Sequence, residues 1–277
     1  MKTIVTHCSV DLDAITSIWL IKRFLPEWKD AELKFVSAGS TLNDEPADAN
    51  KEIIHVDTGM GKFDHHQNDN NTCATKLVFE FLKENFSLDH KNIKALERMV
   101  SFVNDVDHFQ EVYYPEPCDD RYEFLLSQII ETLKSVLKGN DEVVGAVFPM
   151  LDAELQLFKN KIRAEHEIKK GFVFHTKWGK AIAMETKNEE SLKLAQKSGF
   201  TVAVRKDPER GFLRIKSLPK KNIDLTPVYE KLKHLDKKAT WFLHASKNML
   251  LNGSAKNPKA IPTIVNLKSA IEILKKI

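Results

Sequence analysis

Aspartate and histidine recur in four short segments of the N-terminal half, and these residue types could do chemistry together. The first segment, Thr6-His7-Cys8-Ser9-Val10-Asp11-Leu12-Asp13, puts one imidazole and two carboxylates on a short loop. The second, Ile53-Ile54-His55-Val56-Asp57, ends an apolar run in a carboxylate. The third, Phe63-Asp64-His65-His66-Gln67, joins an acid to two adjacent imidazoles. The fourth, Asn104-Asp105-Val106-Asp107-His108, sets two acids and a histidine near the end of an apolar helical pattern. Carboxylate oxygen and imidazole nitrogen suit hard or borderline divalent cations such as Mn²⁺ and Mg²⁺. Singly, each segment has an ordinary explanation. Asp11 and Asp13 could cap a helix and fill its first turn, and paired histidines are often surface residues. Four such segments in order argue for a shared site. Two cations ~3.5–4 Å apart can activate water and neutralise charge developing on phosphorus, and a nearby histidine can donate to a phosphate or leaving-group oxygen.

The elements that must position these residues follow from the pattern of apolar residues. Residues 2–6, 33–36 and 53–56 read as strands, and residues 11–24, 74–84, 93–109, 122–137 and 143–170 as helices. Strands alternating with helices predict an α/β domain built on a parallel sheet, with ligands at the carboxyl ends of its strands. Residues 153–170 form a charged run without Gly or Pro and read as a long connecting helix. Beyond Gly171, strands at 172–175, 181–184, 201–204, 212–216 and 240–243 and helices at 189–197 and 228–235 predict a smaller mixed α/β domain. The expected organisation is a parallel-sheet domain over residues 1–150, a connecting helix over 151–170, and a basic substrate-binding domain over 171–277.

Charge divides the same way. Residues 1–150 hold 15 Lys and Arg against 26 Asp and Glu, whereas residues 151–277 hold 27 against 13. An acidic half can hold cations, and a basic half can attract a polyanion, although lysines also simply solvate helix faces. Three widely spaced cysteines, Cys8, Cys73 and Cys118, argue against a disulfide framework. No apolar run approaches the ~20 residues that span a bilayer, and residues 1–5 lead straight into a strand, so the expected location is cytoplasmic and off the membrane.

The order HxxxDxD, then VD, then DHH, then a later ND resembles the motifs of the DHH phosphoesterase superfamily, which includes RecJ nucleases, oligoribonucleases and family II inorganic pyrophosphatases. The resemblance covers the N-terminal half. It implies that His7, Asp11 and Asp57 hold one divalent cation and that Asp13, Asp57, His65 and Asp105 hold the other, with Asp57 shared. It implies Mn²⁺ first, with Mg²⁺ or Co²⁺ as alternatives. His66 would then face the phosphate as a catalytic residue beside Asp57, and Asp64 would orient a ligand histidine. Asp107 is the alternative to Asp105. In the C-terminal half, Phe212-Leu213-Arg214-Ile215-Lys216-Ser217-Leu218-Pro219, then Trp241-Phe242-Leu243-His244-Ala245-Ser246, then Asn252-Gly253-Ser254 resemble the melanocyte-proliferating-gene family of DHH exonucleases. Motif I, with Asp at both 11 and 13, is closer to the RecJ and pyrophosphatase pattern.

Arg214, Lys216 and His244 lie near expected strand ends and could grip a phosphodiester backbone. Alternatively, Arg214 is an exposed strand charge and His244 a structural imidazole. Trp178, Trp241 and Tyr229 could stack bases or fill core and rim. The leading expectation is a two-metal phosphoesterase that hydrolyses phosphodiester bonds, as an exonuclease or oligonucleotidase on short or single-stranded nucleic acid or nucleotides. The alternatives are a pyrophosphatase or small-nucleotide phosphatase, and a non-catalytic protein that binds a phospho-ligand. No oligomeric state follows from the sequence.

Overall fold

The structure is a computed structural model and describes residues 1–67, 69–253 and 257–277; Ser254 of the last motif lies outside the described residues. The chain divides into two compact units, residues 1–159 and 160–277.

In the first unit, β1 (Thr3–His7), β2 (Glu32–Val36) and β3 (Ile53–His55) pair in parallel in the order β2-β1-β3. Thr3 to Thr6 are all buried, as expected for the middle strand of a parallel sheet. Helix α1 (Leu12–Phe24) follows, with Leu12 through Ile21 buried without interruption. A helix that hides every face is a core element rather than a surface one. It ends before Pro26, where the Leu25 N–H still donates to the Ile21 carbonyl.

Helices α2 (Ala74–Asn85) and α3 (His90–Asp107) are amphipathic, burying Val78, Phe79 and Leu82 on one and Leu96, Met99, Val100 and Val103 on the other. The Ser17 and Thr75 hydroxyls, 3.2 Å apart, tie α1 to α2. After α4 (Leu126–Val136) comes α5 (Asn140–Lys170) as one continuous helix, so the connecting helix expected from residue 151 starts a further eleven residues earlier. Asp152 anchors its first half to α1, accepting from the buried Trp19 indole at 3.0 Å and from Arg23.

The second unit is a mixed sheet, β4 (Phe172–Thr176), β5 (Gly179–Glu185), β6 (Val202–Lys206), β7 (Leu213–Ser217), β8 (Trp241–Leu243) and β9 (Met249–Asn252), in the order β4-β5-β6-β7-β9-β8. Only β5 and β6 run parallel among the described pairs. One face packs Val204, Ile215 and Leu250 against α7 (Thr226–Leu235) and α8 (Leu267–Lys276). The other packs Ile182, Met184 and Ala203 against α6 (Glu190–Lys197). No helix among the described residues is long and apolar enough to cross a membrane. The three cysteines are free thiols.

Candidate metal centre

Parallel register brings two candidate ligands together. Val5 of β1 lies beside His55 of β3, and two residues further along each segment stand His7, the last residue of β1, and Asp57, in the turn after β3. Their side chains meet with His7 Nε2 3.0 Å from Asp57 Oδ2. Asp57 adopts a left-handed backbone (φ 55°), costly for a non-glycine residue and typical of functional turns. Its N–H donates to the Phe63 carbonyl at 2.9 Å, which closes the loop that delivers the DHH triplet. Within that loop Gly59 has φ +81°, and a Cβ there would lie 2.8 Å from the Thr41 methyl.

The candidate carboxylates Asp11, Asp13 and Asp107 lie at helix ends. Asp11 precedes α1, where its Oδ1 accepts from the Ala14 N–H at 2.9 Å, and its Oδ2 lies 3.7 Å from His7 Nε2. Capping and facing the site are thus compatible roles. Asp13 is fully internal: its two oxygens accept from the Ala74 and Thr75 N–H groups at 2.8 and 2.7 Å. It therefore caps α2 from a neighbouring helix, because Cys73 at the N-cap offers no side-chain bond. Even so, Asp13 Oδ2 remains 3.9 Å from His65 Nε2.

His65 Nε2 is also 3.3 Å from Asp57 Oδ1 and 3.6 Å from Asp107 Oδ2. Three groups of donor atoms result: His7, Asp11 and Asp57; Asp13, His65 and Asp107; and Asp57, His65 and His66. The first opens on a cavity of about 290 Å³ lined by His7, Asp11, Asp57, Asp64, His66 and Asp107, among others.

Asp57 turns one oxygen to each histidine, Oδ2 to His7 and Oδ1 to His65. Asp57 Oδ1 and His65 Nε2 are buried yet make no hydrogen bond. A buried lone pair and a buried imidazole nitrogen left facing each other are costly and are the atoms a cation would satisfy. The donor set fits divalent cations on those grounds.

Electrostatics point the same way. The Asp57 carboxylate raises His7 to about 9 against the opposing effect of burial, and raises His65 likewise to about 9. Burial pushes Asp57 up, but His65 and His7 outweigh it and hold the group down at about 2. Burial, then repulsion from Asp57 and Asp107, drives Asp13 up to about 7. Asp11 is raised by burial and by Asp57, and Asp107 by burial and by Asp57 and Asp11 despite His65.

Two expected placements differ from the geometry. Asp107 faces His65, and Asp105 belongs to none of the donor groups. Two residues on a helix are separated by ~200° around its axis, so only one of them can face the site, and Asp107 sits in the last turn of α3 beside the DHH loop. Asp64 orients His66 rather than His65: its Oδ1 lies 2.7 Å from His66 Nδ1 and accepts from the His66 N–H, while its Oδ2 accepts from the Met60 N–H. Nδ1 of half-exposed His66 is held by Asp64, and no hydrogen bond engages its Nε2 among the described residues. His55 is structural, its ring nitrogens engaged by the Ala47 carbonyl and the Leu42 N–H.

Arg214 and His244 belong to the second unit. Arg214, on β7, pairs with Glu189. His244 follows β8, with its Nδ1 2.8 Å from the Ser246 hydroxyl. Trp178, Trp241 and Tyr229, the last on α7 itself, are partly buried and pack against the core that α7 and α8 share with the sheet.

A family model described as ChrB, C-terminal domain, matches residues 4–158, more than half of the chain. The chain belongs to the ChrB C-terminal domain family. The family match contains every residue of the three donor groups and ends before the segments that resemble the melanocyte-proliferating-gene family. Curated proteins provide no match.

Solved structures similar to this ChrB-family chain include a pGpG-specific phosphodiesterase from Vibrio cholerae, at 14% identity over 92% of this chain and 94% of that one, with a TM-score of 0.27. An exopolyphosphatase-related protein from Bacteroides fragilis aligns at 12% identity over 99% and 90%, with a TM-score of 0.28. RecJ from Thermus thermophilus, in complex with Mg²⁺, aligns at 10% identity over 99% of this chain and 49% of RecJ, with a TM-score of 0.32. At these values no property passes from those proteins to this chain.

Proposed function

We propose that the chain is a divalent-cation-dependent phosphoesterase of the DHH type, acting on phosphodiester bonds of short or single-stranded nucleic acid. The observation that carries this reading is Asp57, which offers one oxygen to each of two donor groups, a carboxylate suited to bridging paired cations. His7 and Asp11 would complete one group, and His65, Asp13 and Asp107 the other. Mn²⁺ is the first choice for a set of this composition, with Mg²⁺ or Co²⁺ as alternatives. When bound, two such ions would acidify water and offset charge on phosphate oxygens.

The remaining steps belong to the chain's own side chains. Asp64 fixes the His66 ring by accepting from Nδ1–H, so that Nε2, when the ring is protonated, can donate to a phosphate oxygen or to the departing oxygen. Ala74 and Thr75 hold Asp13 in place through their N–H groups, so a ligand carboxylate need not be ordered when cations arrive. The resemblance of the C-terminal segments to exonucleases and the excess of Lys and Arg in residues 151–277 support an oligonucleotide over a compact phosphate.

The test is a panel of pyrophosphate, dinucleotides, cyclic dinucleotides and end-labelled oligonucleotides, assayed with Mn²⁺ and with EDTA. Turnover of oligonucleotides that EDTA abolishes is expected. Preference for pyrophosphate would replace the substrate assignment, and binding without turnover of any substrate would replace the catalytic one.

A further inference from the structure

The second unit carries a strip of side chains that the metal centre does not use. Along β6 and β7, Val204 and Ile215 turn into the core under α7 and α8, so Arg205, Arg214 and Lys216 alternate onto the opposite face. Helix α6 covers that face over Ile182, Met184 and Ala203. Register aligns the rest into one row. Arg205 lies opposite Arg214, Arg214 opposite Leu251, and Leu251 opposite Phe242. Phe242, on the edge strand, is 53% exposed. Lys216 and Met249 form the neighbouring row on the same face.

The cationic end of the row shares a single bridging carboxylate. Arg205 and Arg214 both pair with Glu189, one with each of its oxygens. The Arg205 side chain is only 3% exposed, and its nearest other acid, Asp207, stands 4.0 Å away. The Nε atoms of both arginines are buried and make no hydrogen bond. Lys216 has no ion-pair partner among the described residues and is half-buried beside the two guanidinium groups. Glu189, by contrast, is 45% exposed and makes no capping bond to α6. A carboxylate that takes one guanidinium nitrogen on each of its oxygens marks a place where two arginines can also hold a phosphate.

We infer that this row binds single-stranded nucleic acid, with a backbone phosphate taken by Arg214, Arg205 and Lys216 in competition with Glu189, and a base stacked on Phe242. Two interstrand spacings, about 10 Å, separate Arg214 from Phe242, within the reach of a nucleotide from phosphate to base. Charge supplies one half of the match: the cations outnumber the one carboxylate that bridges them. The aromatic at the far end supplies the other half, since every base has a face to stack and the contact tolerates any sequence. Glu189 acts as an internal competitor: a backbone phosphate carries the same single charge as its carboxylate, so displacement draws on the stacked base as well. The inference rests on the second unit alone and holds whether or not the metal centre is catalytic.

Binding to full-length protein in EDTA, where no turnover complicates the measurement, tests it. Labelled hexanucleotides, as RNA and as DNA, and an inorganic polyphosphate without bases are titrated by anisotropy and competition. Phe242→Ala should weaken the oligonucleotides roughly tenfold and leave polyphosphate unchanged, with Phe242→Trp restoring affinity. Glu189→Gln should tighten both ligands several-fold, and its circular dichroism and thermal melt report whether it folds. The Phe242 variants, at an exposed position, keep the test decisive if it does not. Unchanged oligonucleotide affinity in Phe242→Ala overturns the inference, as does equal weakening of polyphosphate. A shift in sedimentation of that variant without a change in oligonucleotide affinity would assign the face to contacts between copies of the chain instead.

Discussion

Cation binding to this site should be a proton-displacement reaction. His7 and His65 both stand near 9 because Asp57 favours their charged forms. A histidine ligand must be neutral. At pH 7, two units below that value, each ring is about 99% protonated, which lowers the affinity of its donor group about 100-fold relative to the neutral ring. Apparent affinity should therefore rise about tenfold per pH unit for each cation between pH 7 and 9, then level off, with about one proton released per cation. Around pH 7 the second group should release an additional fraction, because Asp13 titrates at about 7 in the metal-free protein.

The assay is calorimetric titration of Mn²⁺ into EDTA-stripped protein, in buffers of different ionisation enthalpy, from pH 6.5 to 9.5. Ordinary histidines near 6.5 would be mostly neutral above pH 7.5. A flat affinity from pH 7 to 8.5 with no proton release would therefore refute the reasoning. An internal control is Asp57→Asn, which removes the carboxylate responsible, so proton release at pH 8 should vanish along with most of the affinity.

Three further outcomes follow from the same geometry. Asp57→Asn should cost binding of both cations, whereas His66→Ala should leave calorimetric binding nearly intact and lower kcat by a factor of about 100; equal loss of cation by both variants would mean that His66 is a ligand. Asp107→Asn should weaken the second cation at least tenfold while Asp105→Asn changes it less than twofold, and the reverse result in the same titration would restore Asp105 as the ligand. Metal-free protein should melt at lower temperature as pH rises from 6.5 to 9, measured by calorimetric Tm. Raised histidine values contribute stability that is full below 6.5 and lost through about 9, and the raised value of Asp13 adds loss in the same direction above its unfolded value; a Tm that climbs over this range would contradict both shifts.

Much of the site was legible because residue type and strand position coincide. A β-rich run ending in His7 and another ending in Asp57 could be aligned from sequence as strand ends of one sheet, and parallel register places the two together. The choice between Asp105 and Asp107 was not legible. It depends on where α3 ends relative to the DHH loop, and a rotation of ~200° between the candidates leaves periodicity silent on which faces inward. Asp13 is the first-turn acid of its own helix that the sequence suggests, and it also caps α2, a tertiary contact that local sequence does not encode. In the second unit, β9 escaped notice because Met249-Leu250-Leu251-Asn252 is short and lacks β-branched residues. Helix α8 was missed behind Pro258 and Pro262, although Leu267, Ala270, Ile271 and Leu274 repeat at helical spacing. Without β9 the row from Arg205 to Phe242 cannot be drawn, so the aromatic candidates considered from sequence were Trp178, Trp241 and Tyr229, all of which turn out to pack on the core.

The composition of the cluster is itself an argument about what it is for. Asp11, Asp13, Asp57 and Asp107 converge on His7 and His65, with His66 and His108 beside them, and both His7 and His65 lie nearer to Asp57 than to any of the other three acids. For the other three carboxylates burial and repulsion outweigh the nearby histidines and N–H groups, and all three are pushed up. A fold selected for stability alone would replace such a cluster with apolar residues, which often costs nothing. Here the surrounding structure holds it open instead: Asp57 keeps a left-handed backbone, and the N–H groups of Ala74 and Thr75 lock Asp13 in place. A nearby divalent charge inverts each of these penalties, because it stabilises every carboxylate and favours neutral imidazole at once. The three acids pushed up in the metal-free chain are the ones a divalent cation would stabilise most, and Asp57, the one acid that both histidines hold ionised, faces both donor groups.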